Sequence, residues 1–286
     1  MTISRRARPV LGFLAVVVFI LITWELAKLL AGDPIRSGDQ VVWAPPLAWK
    51  PVNDLNLPHI WTIAAAFFEL DNAGETYLSQ LVRAGLFTLR ESVLGFFLGV
   101  SVGLGLAIVL VHVRTLERGL VPLLVASQTV PIIALAPVIV VGLKAGWFGV
   151  AIVATYLTFF PVTIAALRGM RSADPRAFEL MRSYASSRRT VLTKLRLPAS
   201  PPYLFTAFKI AATASVVGAI VGEFPAGIRE GLGGALLQAM QYYAFSPEDL
   251  WAAIAMCAIV GIVAFVAVVI AERLVLRRYR PVEEFA

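Results

Sequence analysis

Six apolar blocks, at about residues 10–31, 86–111, 119–143, 147–167, 203–224 and 250–272, alternate with short stretches that hold most of the charge. A helix needs roughly 20 apolar residues to cross a bilayer, and each block reaches that length. The pattern therefore predicts about six transmembrane helices. Residues 61–84 regain helical spacing through Ile63, Phe67 and Leu70, then Leu78, Leu81 and Val82. They are too polar to span, and an interfacial or packed helix is expected there. Residues 32–60, GDPIRSGDQVVWAPPLAWKPVNDLNLPHI, are Pro-rich and aperiodic, which predicts an irregular external connection. No fixed-period repeat stands out.

Composition agrees with this pattern: 59% of residues are hydrophobic, 15% are charged, and mean hydropathy is +0.80. A soluble domain carries about a quarter charged residues. The net charge of +7 does not point to nucleic acid, because the basic residues sit in short loops between apolar blocks. Arg5, Arg6 and Arg8 precede the first block, Arg114 and Arg118 follow the second, and the 168–201 loop holds eight Lys or Arg. Arg273, Arg277, Arg278 and Arg280 end the chain, whereas the opposite loops carry few. Lys and Arg accumulate on the cytoplasmic side, so both termini and the 168–201 loop are expected there. The first block is longer than the apolar part of a signal peptide, about 7 to 15 residues, and reads as an uncleaved helix. Cys257 is the one cysteine, so no intrachain disulfide can form. His59 and His112 have no nearby ligand residues in sequence and suggest no metal site.

The blocks contain many helix breakers: Gly95, Gly99, Gly103, Gly105, Pro122, Pro131, Pro137 and Pro161. Small residues let helices pack closely in lipid, and prolines bend them. Close packing explains such residues, and so would the lining of a path that opens and closes. Gln128, Pro131, Pro137, Pro161 and Glu223 are the candidates for pathway or gating roles. Glu223 ends the run SVVGAIVG, and an ionisable residue in a membrane segment is a functional candidate. Its simpler reading is a charge in the headgroup region. Glu25 and Lys209 raise the same question, and Lys209 can snorkel. The stretch PAGIREGLGGALL predicts an external turn and a re-entrant helix.

The most informative segment is polar: residues 179–200, ELMRSYASSRRTVLTKLRLPAS. Asp174-Pro175 has the form of an N-cap followed by proline at the first helical position. Phe178, Met181 and Ala185 then share a face. Ser186 and Ser187 break this helix and can cap a second, in which Val191, Leu192 and Leu195 share a face until Pro198 stops it. Two short amphipathic helices are expected. Periodicity leaves two uses open: a pair resting on anionic lipid, or a knob that fills a groove on a cytoplasmic protein.

This segment resembles the EAA loop of ABC importer permeases. The family pattern is Glu-Ala-Ala, three residues, Gly, nine residues, Ile, one residue, Leu-Pro. Glu179, Leu197 and Pro198 match, and Leu195 fills the Ile place. Leu180 and Met181 replace the alanines, and Ala185 replaces the glycine, where a Cβ disfavours a left-handed turn. TWELAKLLAG, LPHIWTIAAAFFEL, TLRESVLGFFLGVSVGLGLAI, SQTVPIIALAPVIVVGLKAGWFG and TFFPVTIAALRGMRSADPRAFEL extend the likeness, as does the stretch after the loop. Residues 33–56 look inserted. The branch it most resembles imports nitrate, sulfonates, taurine and pyrimidine precursors.

The resemblance implies an all-α polytopic membrane protein of about six transmembrane helices with the type I ABC importer (MetI-like) permease fold. Residues 1–60 would form the first helix and external connection, 61–275 the permease core, and 276–286 a cytoplasmic tail. The 174–198 loop would couple the permease to separate ATPase subunits, two copies, which bind ATP and magnesium. The coupling candidates are Phe178, Glu179, Met181, Arg182, Tyr184, Ala185, Leu195, Leu197 and Pro198. Other implied partners are an extracytoplasmic solute-binding protein and a second permease, identical or paralogous, in the bacterial inner membrane. This sequence has no G-x-x-x-x-G-K-[ST] phosphate loop, so this chain is not expected to be the ATPase or another enzyme. A secondary transporter is the alternative; it would need ion-coupling carboxylates or broken helices near the bilayer midplane, usually in repeated halves. The sequence suggests no buried Asp/Glu cluster. A membrane-embedded enzyme would need a nucleophile and base or metal ligands within the helices, and one cysteine with two scattered histidines argues against it.

Overall fold

The computed structural model describes residues 8–37, 40–47, 49–71, 74–144 and 146–277. Arg5, Arg6, Arg278, Arg280 and nearly all of the expected tail lie outside the described residues. The chain divides into two compact units, one of residues 1–80 with 238–255 and the other of 81–237 with 256–286.

In the first unit, α1 (Arg8–Ala31) occupies the first apolar block. The connection after it is more regular than expected. Strands β1 (Ile35–Ser37) and β2 (Gln40–Trp43) pair antiparallel, the second rich in β-favouring Val41, Val42 and Trp43. A 3₁₀ turn follows at Lys50–Val52. This segment is tied to α1 by polar groups. The buried Lys28 ammonium donates to the Val52 carbonyl at 3.2 Å and pairs with Asp54. Glu25 accepts the Ile60 N–H at 2.7 Å and contacts His59 Nδ1 at 2.9 Å. The Glu25 carboxylate thus satisfies a free amide at the start of α2 (Ile60–Ala66), a structural task that answers the question its position raised. Trp24 donates to the Pro58 carbonyl at 3.0 Å and meets Trp251 edge-on.

The single interfacial helix expected over 61–84 does not form. α2 stops at Ala66, the chain turns, and Leu70 and Thr76 form a β-bridge. The Asp71 carboxylate accepts the Glu75 N–H at 2.9 Å, and Gly74 has φ +78°, a turn geometry that glycine adopts without strain. The second half of the expected helix is instead the beginning of α3 (Tyr77–His112), which is 36 residues long.

From residue 81 on, α3 belongs to the second unit, with α4 (Arg114–Ser127), α5 (Ile132–Leu143), α6 (Trp147–Gly169), α7 (Pro175–Ser183), α8 (Arg188–Val191) and α9 (Leu197–Ala199). α10 (Pro201–Ala226) and α11 (Leu232–Gln241) follow, α11 reaching the unit boundary. α12 (Pro247–Leu276) joins this unit from residue 256. Block 119–143 is not one straight span: α4 and α5 meet at a 96° bend. Pro131 has no N–H to continue α4 and disfavours helical backbone at Val130 before it. Among the described residues, five helices are long and apolar enough to cross a membrane, or six if the bent pair counts as one span.

α6 is the centre of the second unit. Gly95, Gly99 and Gly103 line one side of α3, and a Cβ on them would lie 2.9 Å from the Ala151 carbonyl, 2.7 Å from the Thr158 methyl and 2.7 Å from the Phe159 carbonyl. Gly218 brings α10 equally close to Ala154. These glycines serve close helix packing, as small residues do in lipid; Gly105 faces open space. One apolar cluster joins Ala107, Leu110, Ala166, Leu167 and Met170, and another joins Ala136, Val140, Val150, Val153 and Ala219.

Candidate functional sites: a capped hairpin and a buried carboxylate hub

The polar segment folds as two short helical pieces. Asp174 caps α7, its carboxylate accepting the Arg176 N–H at 2.8 Å, and Pro175 takes the first helical position. At the other end, Ser186 N–H donates to Met181 C=O at 3.0 Å and Ala185 N–H donates to Arg182 C=O at 2.9 Å. These two bonds form a Schellman closure, and Ala185 takes the left-handed position with φ +48°. The turn is therefore made without glycine, at the strain an alanine Cβ brings. Ser187 caps α8, its hydroxyl accepting the Thr190 N–H at 3.2 Å.

Pro198 does not stop the second helix, contrary to what the spacing suggests. The chain passes through a π-helical turn at Leu192–Arg196 into α9, and the interruption comes at Ser200. Pro198 offers no N–H to the Lys194 carbonyl and crowds it, and a widened turn relieves that conflict.

Phe178, Met181, Leu195 and Leu197 are half-buried and turn toward the chain itself. Leu192 and Leu197 pack on the Ala107–Met170 cluster, and the Arg196 guanidinium lies 5.0 Å over the Phe178 ring. Burial, with the nearby Arg171 charge second, pushes the Arg196 guanidinium below its usual pKa. Glu179, Arg182, Tyr184, Ala185 and Pro198 are exposed. So is Leu180, at 57%, beside Tyr184 at 77%. Leu180 and Tyr184 are one helical turn apart and form the apolar tip of the hairpin. The sequence pattern marks Leu180 only as a departure from alanine. Beside α7 lies an open cleft of 920 Å³, which Arg114, Arg118, Arg182 and Glu179 help to line. Arg171 and Glu117 close part of it with a two-pronged ion pair, Nη1 to Oε1 at 2.6 Å.

The gating candidates are distributed. Gln128 ends α4 and Pro131 begins α5, so both lie at the bend. Tyr156 of α6 donates its hydroxyl to the Ser127 carbonyl there. Pro137 is exposed within α5, and Pro161 of α6 lines a separate 570 Å³ groove with Pro202, Tyr203 and Ile210. Lys209 pairs with Glu272 at 2.9 Å rather than snorkelling alone.

Glu223 corrects the headgroup reading: it is fully buried. Its Oε1 accepts the Thr88 hydroxyl at 2.6 Å and its Oε2 accepts the Gly233 N–H at 2.5 Å. Thr88 in turn accepts the Leu232 N–H at 2.9 Å. Against Glu223 lies a second carboxyl, Glu91 of α3, which is 1% exposed. No N–H or O–H donor among the described residues reaches either Glu91 oxygen. A buried carboxylate pair thus exists where the sequence suggested none. Glu91 was legible as an ionisable residue inside the 86–111 block, by the same rule that singled out Glu223.

Residues 95–281 match the family model described as binding-protein-dependent transport system inner membrane component. The chain is 34% identical over 194 residues to a formylaminopyrimidine transport permease of Halalkalibacterium halodurans, covering 66% of this chain and 74% of the relative. It is 28% identical over 276 residues to a riboflavin transport system permease of Chloroflexus aurantiacus, covering 96% and 93%. A putative aliphatic sulfonates transport permease of Bacillus subtilis is 29% identical over 210 residues, covering 72% and 71%. Among solved structures, an amino acid ABC transporter chain superposes with a TM-score of 0.56 at 14% identity, covering 69% of this chain and 94% of that one.

Proposed function

Because the chain belongs to the binding-protein-dependent inner-membrane transport components, the permease subunits of ATP-driven ABC importers, we propose that the α7 hairpin is its coupling element. Glu179, Leu180, Arg182 and Tyr184 enter a groove on a separate ATPase subunit, which binds ATP and magnesium. Leu192 and Leu197 seat the hairpin on the Ala107–Met170 cluster of α3 and α6, and the Arg196 guanidinium covers the Phe178 ring. The observation that supports this most directly is the division of faces on α7: an exposed Leu180–Tyr184 tip, with Phe178 and Met181 turned inward. A knob held rigidly by two caps and a Schellman turn can transmit displacement, because packed elements shift as units rather than deform.

In this reading the hairpin and both termini face the cytoplasm. Two ATPase copies and two permeases, identical or paralogous, complete the importer in the bacterial inner membrane, and a solute-binding protein docks on the outer face. Counting α4 and α5 as one broken crossing returns the chain to the cytoplasm at its end. Gln128 and Pro131 at that bend, with Pro137 and Pro161, are the pathway candidates. Glu179→Arg should leave the permease folded, since exposed substitutions usually change stability by about 0.5 kcal/mol or less. It should abolish copurification of the ATPase and uptake. Wild-type uptake and an intact complex in that variant would overturn the coupling assignment.

The solute proposed is a nitrogen heterocycle of the pyrimidine-precursor or riboflavin kind. Support comes from the Gly222–Gly227 segment followed by Gly231-Leu-Gly, and from the names of two of the relatives above. Calorimetric titration of the cognate binding protein with a formylaminopyrimidine, riboflavin and taurine tests this; binding of taurine alone would refute it.

A further inference from the structure

Two carboxyl groups in contact inside an apolar helix bundle cannot both be ionised without a cation to offset them. Among the described residues no Lys or Arg forms an ion pair with either carboxyl, and the Arg90 charge acts on Glu91 only from a distance. Arg90, next in sequence to Glu91, is exposed, and its guanidinium lies 4.8 Å over the Trp147 ring. The other titratable groups that face the pair are Glu230 in the turn before α11 and Cys257 on α12, neither of them basic. No third His, Cys, Asp or Glu side chain gathers with the pair as a metal site would need, among the described residues.

The donors also separate the two groups. Glu223 receives the Thr88 O–H and, from the first turn of α11, the Gly233 N–H, while the Leu232 N–H of that turn goes to Thr88. A helix N-terminus favours negative charge, and accepted hydrogen bonds favour the ionised carboxylate. Glu91 receives nothing, so only its neutral form can make a hydrogen bond there, by donating.

We propose that Glu91 and Glu223 form a buried one-proton site. Glu91 is held as the neutral acid and gives its O–H to the ionised Glu223, which becomes a hub with three donors. One proton thereby ties together Thr88 and Glu91 on α3, Glu223 on α10 and the Leu232–Gly233 amides that open α11. Gly231 and Gly233 fit this arrangement, since a Cβ on either would collide with the Glu223 side chain. The proposal does not depend on the coupling reading of the hairpin.

The test compares Glu91→Gln with Glu223→Gln in the full-length permease held in lipid nanodiscs. Glutamine copies the neutral acid, so Glu91→Gln should keep its thermal midpoint within about 1 °C, while Glu223→Gln, which sets an amide against two donors, should lose about 5 °C. Infrared difference spectra at neutral pH should show the carbonyl stretch of a protonated carboxyl in the parent and its loss in Glu91→Gln. That band separates a proton-bearing group from one that merely packs. The site is refuted if the band is unchanged by Glu91→Gln, or if Glu91→Gln is as damaging as Glu223→Gln.

Discussion

The α7 hairpin and the Glu91–Glu223 hub both bring ionisable groups into a predominantly apolar chain, and they hold them in opposite ways. The hairpin leaves Glu179 and Arg182 in the open and spends its hydrogen bonds on backbone ends: Asp174 and Ser187 at helix starts, the Schellman pair at Ala185. Its charges are therefore free to meet another protein, and each is worth little to folding in water. The hub does the reverse. Glu223 is fully buried, and its Thr88 and Gly233 donors come from other segments, so its bonds are tertiary ties. The lesson is that a charge in a membrane chain says little until its donors are known. The same residue type is a contact surface in one place and an internal fastening in the other.

The comparison can be broken first at the hub. Gly233→Val would place its Cβ 2.7 Å from both the Glu223 Cβ and the Ile220 carbonyl oxygen, well inside contact distance. It should destabilise the permease by about 3 kcal/mol, read as lost folded yield and a lowered thermal midpoint in detergent. The hairpin should respond less. Asp174→Ala removes the α7 cap and should cost about 1 kcal/mol, seen as faster amide hydrogen exchange confined to residues 176–178. The smallest effect has the opposite sign. Ala185→Gly relieves the left-handed strain at φ +48° and, after glycine's entropy loss, should gain about 0.5 kcal/mol. Slower exchange at Ser186 would report it. A Gly233→Val effect no larger than that of Asp174→Ala would erase the distinction between the two sites.

The hairpin was largely legible in the sequence because its determinants are local. Asp174-Pro175, the serine pair and the spacing to Leu197-Pro198 act on backbone groups a few residues away, and the structure places both caps where the spacing does. What local reasoning lacked was the direction of each face. Phe178 is covered by the Arg196 guanidinium and Leu197 packs on the Ala107–Met170 cluster, while Leu180 is left outside. The halting of the second helix by Pro198 failed for a related reason: a helix can absorb a proline by widening one turn when its flanks are packed.

Local sequence was enough to establish that this chain crosses a membrane several times, where the α6, α10 and α12 spans fall, and that a capped basic hairpin interrupts them. Length, apolarity and caps are properties of short segments, and they act before distant parts of the chain meet. Tertiary structure alone decided that the 119–143 block bends by 96°, and that Gly95, Gly99 and Gly103 are contacts with α6. It also decided that Glu91 and Glu223, 132 positions apart in the sequence, face each other. Those outcomes depend on which helices are neighbours, and burial turns a carboxylate from a surface charge into a group that must find donors or a proton.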